Sequence, residues 1–301
     1  MTKQHLKTAT LAACLAAFTG AAFAGAPADW SKVPSRTVTV MYPGASPIEW
    51  INKGTEHGGA RGLREGDTCA SCHEKELAEM GQKMVTGQKI EPHVIKGKAA
   101  SIPVTVQAAH DGANLYMRFS WKQPAGGGEK MDADNQVKLA FMLANDGLMI
   151  KSGKKEIDIA NKGGCWGTCH EDSRTMPDAK DDKKTKYISD ANLAGGRFLD
   201  LVQWQSKSNK GTDGHVADKR EMSGGSALIE AKGEKKGDTW TVTFARKFSG
   251  GQGDIALAPG KTTNFGMAIH DDHTHGRFHH VSMGYSLGID VKTADINAVK
   301  Q

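Results

Sequence analysis

The chain has 301 residues, of which 38% are hydrophobic and 24% charged, and its formal net charge is +5. This length suffices for one large domain, or for a small domain beside a medium one. The lysines are scattered along the chain and acidic residues are interleaved with them, which excludes the concentrated basic surface of a nucleic-acid-binding protein.

Residues 1–24 have the layout of a secretory signal peptide. Lys3 and Lys7 form a basic start, and an alanine-rich apolar run ends in the A-x-A-like sequence Ala22-Phe23-Ala24. The apolar run is shorter than the roughly 20 residues that span a bilayer, so we favour cleavage over an uncleaved anchor. Cleavage removes two lysines from the charge of +5 and leaves +3. No later segment has transmembrane length, and the mature chain is expected in the periplasm.

Residues 25–100 are predicted to form a segment of loops with short helices. A helix is predicted over 73–85, where Leu77, Met80 and Met84 recur at three- and four-residue steps, and a helical turn over 48–53.

The first of two cysteine motifs precedes that helix. It reads Cys69-Ala70-Ser71-Cys72-His73, and a C-x-x-C-H run is the attachment signal for c-type haem. Positions i, i+3 and i+4 share one face of a helical turn, so two thiols and one imidazole can reach the same porphyrin. A disulfide would not need the histidine, and compact zinc sites place their second cysteine pair much closer in sequence. We therefore predict a covalent haem with His73 as its proximal iron ligand.

From residue 102 the pattern changes to short strands. The ranges 102–108 and 114–121 flank the turn His110-Asp111-Gly112 and predict a hairpin. Further strands are expected at 137–143, 198–204, 227–231, 239–248, 264–270 and 279–289. Long polar connections without regular structure are expected at 123–135, 171–190 and 205–225. Short strands between Gly, Asp and Asn turns favour an antiparallel sandwich or barrel over 101–301.

The second motif, Cys165-Trp166-Gly167-Thr168-Cys169-His170, repeats the order cysteine, cysteine, histidine with one additional residue. That residue breaks the helical register and must be absorbed in a bulge or loop, for which Gly163, Gly164 and Gly167 supply backbone freedom. The rival interpretation is a disulfide, which would not explain His170. We predict a second covalent haem with His170 as proximal ligand. Of the five cysteines only Cys14, inside the signal peptide, then has no role.

Several segments resemble one family. They are Met41-Tyr42-Pro43-Gly44, His57-Gly58-Gly59-Ala60, the two cysteine motifs, Ala268-Ile269-His270-Asp271-Asp272 and the run from Gly276 to Ser282. The chain is similar in these segments to dihaem cytochromes c that contain an ethylbenzene-dehydrogenase-related haem-binding domain. The wider group includes haem subunits of molybdenum enzymes, which hold haem b through a methionine and a lysine. The resemblance implies a mainly β protein, in which an antiparallel sandwich follows a small helical cytochrome c-like segment.

The resemblance also separates the distal ligand candidates. Met142 lies in a strand similar to the one that bears the family's methionine ligand, whereas Gln205 stands where the haem b members have lysine. A lysine-ligated haem b is therefore not expected. For the second haem Met142 is favoured, with Met176 as rival. For the first haem the candidates are His57, Met80, Met84, His279 and His280. Met80 and Met84 are better explained as core residues, and His279 and His280 must point to opposite faces of a strand.

Two covalently attached haems c predict a periplasmic electron-transfer protein rather than an enzyme. Expected partners are periplasmic or membrane-bound electron donor and acceptor proteins, a molybdenum oxidoreductase among them. The alternative is a haem oxidoreductase that acts on a small ion or peroxide at an open or exposed haem. The His/Asp run over 270–280 leaves a further metal site open as a minor alternative.

Overall fold

Short apolar segments with alternating polar residues fold this chain mainly into strands. The computed structural model describes residues 25–45, 57–89, 91–152, 154–168, 187–188 and 191–301. The strands are β1 (Ser35–Met41), β2 (Ser101–His110), β3 (Asn114–Lys122), β4 (Lys138–Ala144), β5 (Met149–Ser152), β6 (Lys155–Asp158), β7 (Leu199–Gln205), β8 (Lys210–Val216), β9 (Arg220–Glu221), β10 (Leu228–Lys236), β11 (Thr239–Lys247), β12 (Thr262–His270), β13 (His280–Val281), β14 (Tyr285–Ile289) and β15 (Ile296–Lys300). The helices are α1 (Ala60–Glu65), α2 (Cys69–His73), α3 (Leu77–Val85) and α4 (Ile159–Thr168).

Most strands belong to one sheet that folds back on itself. The hydrogen-bonded order is β10-β11-β3-β2-β1-β13-β12-β4-β7-β8-β9, and β14 and β15 connect β12 to β2. The edge strand β10 also packs against β7 and β8 from the far end of the order. The sheet therefore forms two facing layers, with β11, β3, β2 and β1 in one and β12, β4, β7 and β8 in the other. This is the sandwich that the sequence predicted, and the mainly β fold is confirmed.

Four phenylalanines join the two layers. Phe119 of β3 stacks on Phe141 of β4 with ring centroids 5.9 Å apart, and Phe244 of β11 meets Phe141 edge-to-face at 5.1 Å. Phe265 of β12 stacks on Phe119 and Phe141 as well. Because side chains alternate along a strand, residues next to these phenylalanines point away from the core. Met142 accordingly lies on the outer face of β4.

The N-terminal segment, residues 25–100, contributes the helices α1, α2 and α3 and the strand β1. Strand β1, in a region where loops and short helices were expected, pairs with β2 along its whole length, so that expectation was wrong. Its alternating residues Val38 and Val40 are fully buried. Helix α3 packs on β1 and β2, where a Cβ on Gly81 would lie 2.0 Å from the Ala100 carbonyl oxygen. The division of the chain at residue 100 remains a prediction.

The predicted hairpin is confirmed, since β2 and β3 pair in antiparallel register. The expectation of an irregular connection over 205–225 was wrong, because β8 lies within it and pairs with β7. The inward positions of β8 are Gly211, Asp213 and His215, so the strand lacks a hydrophobic pattern. The predicted helix over 73–85 is divided into α2 and α3 at Glu76, whose backbone φ of −107° is not helical.

Three predictions concern residues outside the described ranges: the signal peptide over 1–24, the helical turn over 48–53 and most of the connection over 171–190. Within the described residues, no helix combines the length and apolar character needed to cross a membrane.

Candidate haem sites

Helix α2 carries the first motif and is held by a capping box. The Thr68 hydroxyl accepts from the Ser71 backbone N–H, and the Ser71 hydroxyl accepts from the Thr68 backbone N–H, both at 3.0 Å. These bonds satisfy donors that a helix start leaves without partners, so even this five-residue segment is helical. Cys69, Cys72 and His73 consequently share one helical turn, the geometry that attachment to one porphyrin requires.

The two thiols of this turn differ in environment. Cys69 is buried and Cys72 is exposed, and neither forms a disulfide. Burial raises the pKa of the Cys69 thiol to about 12, and the neighbouring Cys72 contributes to the rise. Burial therefore disfavours the thiolate, which is the form of cysteine that ligates a metal ion. The chemistry of this donor set therefore fits a covalent haem.

Glu76 orients the imidazole of His73. The His73 Nδ1 atom lies 3.1 Å from the Glu76 carboxylate, which leaves Nε2 available for an iron atom. A carboxylate that accepts a hydrogen bond from a ligating histidine fixes its tautomer and increases its basicity. Glu76 was not predicted from the sequence, although its position three residues after His73 was a usable signal.

His57 lies beside His73. The centroids of the two imidazole rings are 5.9 Å apart, and the ring planes are tilted by 40°. Two imidazoles that share one metal ion have ring centres about 6 Å apart, because each metal–nitrogen bond is about 2 Å long. The His57 ring rests on Gly59, where a Cβ would lie 2.4 Å from His57 Cε1. Among the candidates for the distal ligand of the first haem, His57 is the one whose position fits. Met84 is buried and Met80 packs against the core, as predicted.

The second motif begins in α4. Gly164 interrupts this helix with φ of +56° and ψ of −145°, a conformation that residues with a Cβ rarely adopt. A Cβ at Gly164 would lie 2.3 Å from the backbone nitrogen of Gly284, so the two glycines allow α4 to pack closely on the segment between β13 and β14. Cys169, His170 and Met176 lie outside the described residues, and their roles remain predictions.

Met142 lies next to α4. A small cavity at this point is lined by Met142, Leu199, Gly266, Ala160 and Gly164. Gly266 is the cross-strand partner of Met142 and, because it has no side chain, leaves space beside the Met142 side chain. Gln205 lies on the same outer face, on β7. The fold thus brings Met142, the favoured methionine, next to the helix that starts the second motif. The sequence alone does not show this contact.

His279 and His280 lie in different environments, but the strand predicted over 279–289 is divided into β13 and β14, and His279 lies just before β13. His280 is fully buried, its Nε2 lies 2.7 Å from the Ala99 carbonyl oxygen, and its Nδ1 lies 3.1 Å from the Asp271 carboxylate. His279 is partly exposed and stacks on His270 with ring centroids 4.9 Å apart. The contacts of His280 favour a structural role over ligation of iron. Within the described residues, the His/Asp run does not supply three ligand atoms within reach of one metal ion.

A buried charge cluster surrounds His280 and joins residues 91–98 to the sandwich. Lys98 donates to Asp271 at 3.0 Å, and both side chains are nearly fully buried. Arg277 donates two bonds to Glu91, at 2.7 and 2.8 Å. Burial opposes the ionisation of Asp271, but His280 and Lys98 outweigh it and hold the pKa of Asp271 below its usual range. Two cations balance two carboxylates, so this cluster is complete without a further ion.

Comparisons with known proteins identify the family. The family model for ethylbenzene dehydrogenase matches residues 27–227. Cytochrome c-552 of Stutzerimonas stutzeri is 56% identical over 300 residues, which cover 99% of this chain and 100% of that protein. The chain belongs to the cytochrome c family with an ethylbenzene dehydrogenase-related domain. Cytochrome c-551 of Rhodocyclus tenuis is 39% identical over 274 residues, covering 91% of this chain and 99% of that protein.

Solved structures add little to this assignment. A putative carbohydrate-binding protein from Bacteroides uniformis is 11% identical, with a TM-score of 0.31 over 73% of this chain and 88% of that one. A family 9 carbohydrate-binding module from Caldicellulosiruptor kristjanssonii is 8% identical, with a TM-score of 0.28 over 61% of this chain and 65% of that one. Scores this low carry no argument about the present protein. The family resemblance drawn from the sequence motifs is confirmed by the sequence relatives.

Proposed function

We propose that this cytochrome c carries two covalently bound haems and transfers single electrons between redox partners in the periplasm. The observation that carries the proposal is the arrangement of His57 and His73, whose rings lie 5.9 Å apart beside the cysteines of α2. If His57 and His73 both ligate the first iron, the chain would leave no open coordination site there for a substrate. A filled coordination sphere is typical of an electron carrier.

Cys69 and Cys72 would hold the first haem through thioether bonds, and His73 would ligate its iron. Glu76 holds the imidazole of His73 in orientation, and His57 would supply the second iron ligand. The haem, when bound, supplies the one-electron chemistry. The protein contributes position, burial and the choice of axial ligands, which together set the potential.

Cys165 and Cys169 would hold the second haem through thioether bonds, and its iron would be ligated by His170 and Met142. Support for Met142 comes from the cavity that it lines with Ala160 and Gly164 of α4, directly before the second motif. Met176 remains the rival because it is close to the motif in sequence. A lysine ligand is absent from the corresponding position of β7, where Gln205 stands.

These ligand sets predict different potentials. A methionine in the axial position raises the potential of a haem relative to a second histidine, because the thioether stabilises the reduced iron. The second haem is therefore expected to have the higher potential. Electrons would enter at the first haem and leave from the second, towards a periplasmic or membrane-bound acceptor. A molybdenum oxidoreductase is a candidate partner because the haem subunits of such enzymes share the ethylbenzene dehydrogenase-related domain.

Intact mass and a pyridine haemochrome assay on the purified protein test the proposal. We expect a polypeptide that begins at Gly25 and carries two haems, with sharp low-spin absorption bands in both redox states. A potentiometric titration should resolve two one-electron steps. One haem per chain would overturn the dihaem proposal, and a high-spin ferric signal would favour the alternative of an oxidoreductase with an open haem.

Substitution at the second motif gives a sharper test. His170→Ala should change the spectrum and the higher potential, because the proximal ligand of the second haem is lost. His275→Ala is the matched control, since His275 is exposed in the His/Asp run. An unchanged spectrum and potential in the His170 variant would show that the second haem is not ligated by this residue.

A further inference from the structure

Three aspartates from separate parts of the chain meet between the layers of the sandwich. Asp200 lies on β7, Asp213 on β8 and Asp254 in the connection between β11 and β12. Asp213 pairs in register with Val202, two residues after Asp200, so both aspartates face the inner side of the sheet. One carboxylate oxygen from each of the three residues lies within 4.8 Å of those of the other two.

Backbone amides hold one oxygen of each carboxylate. Asp200 Oδ2 accepts a hydrogen bond from the Ile255 N–H at 2.9 Å, and Asp213 Oδ2 accepts one from the Leu228 N–H at 2.6 Å. Asp254 Oδ2 accepts two, from the Gly251 N–H at 2.6 Å and the Ser226 N–H at 2.9 Å. Each of the three side chains is therefore held in place by at least one backbone N–H group.

The second oxygen of each carboxylate has no such partner. The Oδ1 atoms of Asp200, Asp213 and Asp254 are all buried and accept no hydrogen bond. The Asp200 side chain is fully buried. A buried carboxylate oxygen without a partner is strongly unfavourable, so three together indicate that the site holds something that the protein itself does not provide.

The charge of the cluster points to the kind of ligand. Arg246 is also fully buried and its Nη1 lies 2.9 Å from Asp200 Oδ2. When all three carboxylates are ionised, their charge exceeds that of the single guanidinium by two. Burial raises the pKa of Asp200 to about 7, Arg246 opposes the rise, and Asp213 and Asp254 add to it. A divalent cation would cancel the excess charge, in contrast to the buried charge cluster around His280, which is already balanced.

We propose that Asp200, Asp213 and Asp254 bind a calcium ion. Calcium takes oxygen ligands at about 2.3–2.6 Å, so two oxygens on opposite sides of one ion lie at most about 5 Å apart. The group within this range consists of oxygen ligands alone, which favours a hard cation over zinc. Asp213 and Asp254 are partly exposed, so the cluster lies near the protein surface. The ion joins β7, β8 and the β11–β12 connection, and its role is to stabilise the closed end of the sandwich.

The haem-loaded protein, treated with EDTA and dialysed into metal-free buffer, is the starting material for the test. Calcium added to it should raise the melting temperature increasingly with concentration, since a ligand that binds only the folded state stabilises it. After gel filtration has removed free calcium, atomic emission spectroscopy of the reconstituted protein should find about one bound calcium ion per chain. No bound calcium and no rise in melting temperature would overturn the proposal.

Asp213→Asn and Asp254→Asn should each abolish the calcium-dependent rise in melting temperature. In EDTA both variants should be as stable as the parent or more stable, because each removes one repelling charge, and this result separates lost binding from lost folding. Asp238→Asn is the matched control, since Asp238 is exposed in the β10–β11 turn and pairs with Lys122. If the Asp213 and Asp254 variants keep the calcium response, the ion binds elsewhere and the assignment is wrong.

Discussion

The two cysteine motifs differ in how the fold supports them. The first lies on a capped helical turn, and its proximal histidine, both thiols and Glu76 fall within eight consecutive residues. The second starts in a helix interrupted at Gly164, and Met142, the methionine that we propose as its distal ligand, comes from the sandwich. The contrast teaches that the residues of the first motif are organised locally, whereas the proposed second site depends on packing against a strand that precedes it in the chain. Each site can therefore be disturbed separately.

Removal of either cysteine pair is expected to have the largest effect. Cys69→Ser with Cys72→Ser should leave a protein with one haem, and Cys165→Ser with Cys169→Ser should leave the other haem alone, because each pair makes the thioethers of one porphyrin. Intact mass and the haemochrome assay measure both outcomes. If the variant that lacks Cys165 and Cys169 retained two haems, the second motif would not be a haem attachment site.

Next in size is the effect of Gly164→Ala, which tests how far the second site depends on packing. The positive φ and the contact with Gly284 predict a loss of about 1–3 kcal/mol in the free energy of unfolding. Gly163→Ala is the matched control, because a Cβ there meets only the flexible end of Ile159, at 3.1 Å. Urea unfolding of the haem-loaded protein measures both. Equal losses in the two variants would mean that the close approach to Gly284 is not required.

A smaller change is expected from Met142→His, which would make the axial ligands of the two haems alike. The higher of the two midpoint potentials should fall towards the lower one, because imidazole stabilises oxidised iron better than a thioether does. Met117→Leu serves as control, since Met117 is a buried methionine of β3. Potentiometric titration followed optically gives the result. An unaltered higher potential in the Met142 variant would favour Met176 as the ligand.

The smallest effect is predicted for Glu76→Gln. Loss of the carboxylate beside His73 should raise the lower potential slightly, because a less basic imidazole stabilises oxidised iron less. Glu79→Gln is the control, as Glu79 lies on the exposed side of α3 and pairs with Lys83. A shift of the higher potential instead would show that the two haems are assigned in the wrong order.

The strands that the sequence predicted correctly are those with an apolar pattern or a clear turn. The hairpin of β2 and β3 has both, whereas β8 has neither, because Asp213 and His215 occupy its inward positions. Strand β1 was missed although Val38 and Val40 alternate with polar residues. Its place beside β2 depends on pairing across residues 42–100, a contact that no local pattern encodes.

The amino-acid sequence on its own determined the type of cofactor and the mainly β class. The spacing of thiols and imidazole in the two Cys–Cys–His motifs and the period-2 alternation of strands are patterns of only a few residues. Tertiary structure alone decided that His57 faces His73, that Met142 lies under α4, and that Asp200, Asp213 and Asp254 converge. These contacts join residues distant in sequence, and their geometry is set by strand register and packing rather than by neighbouring residues.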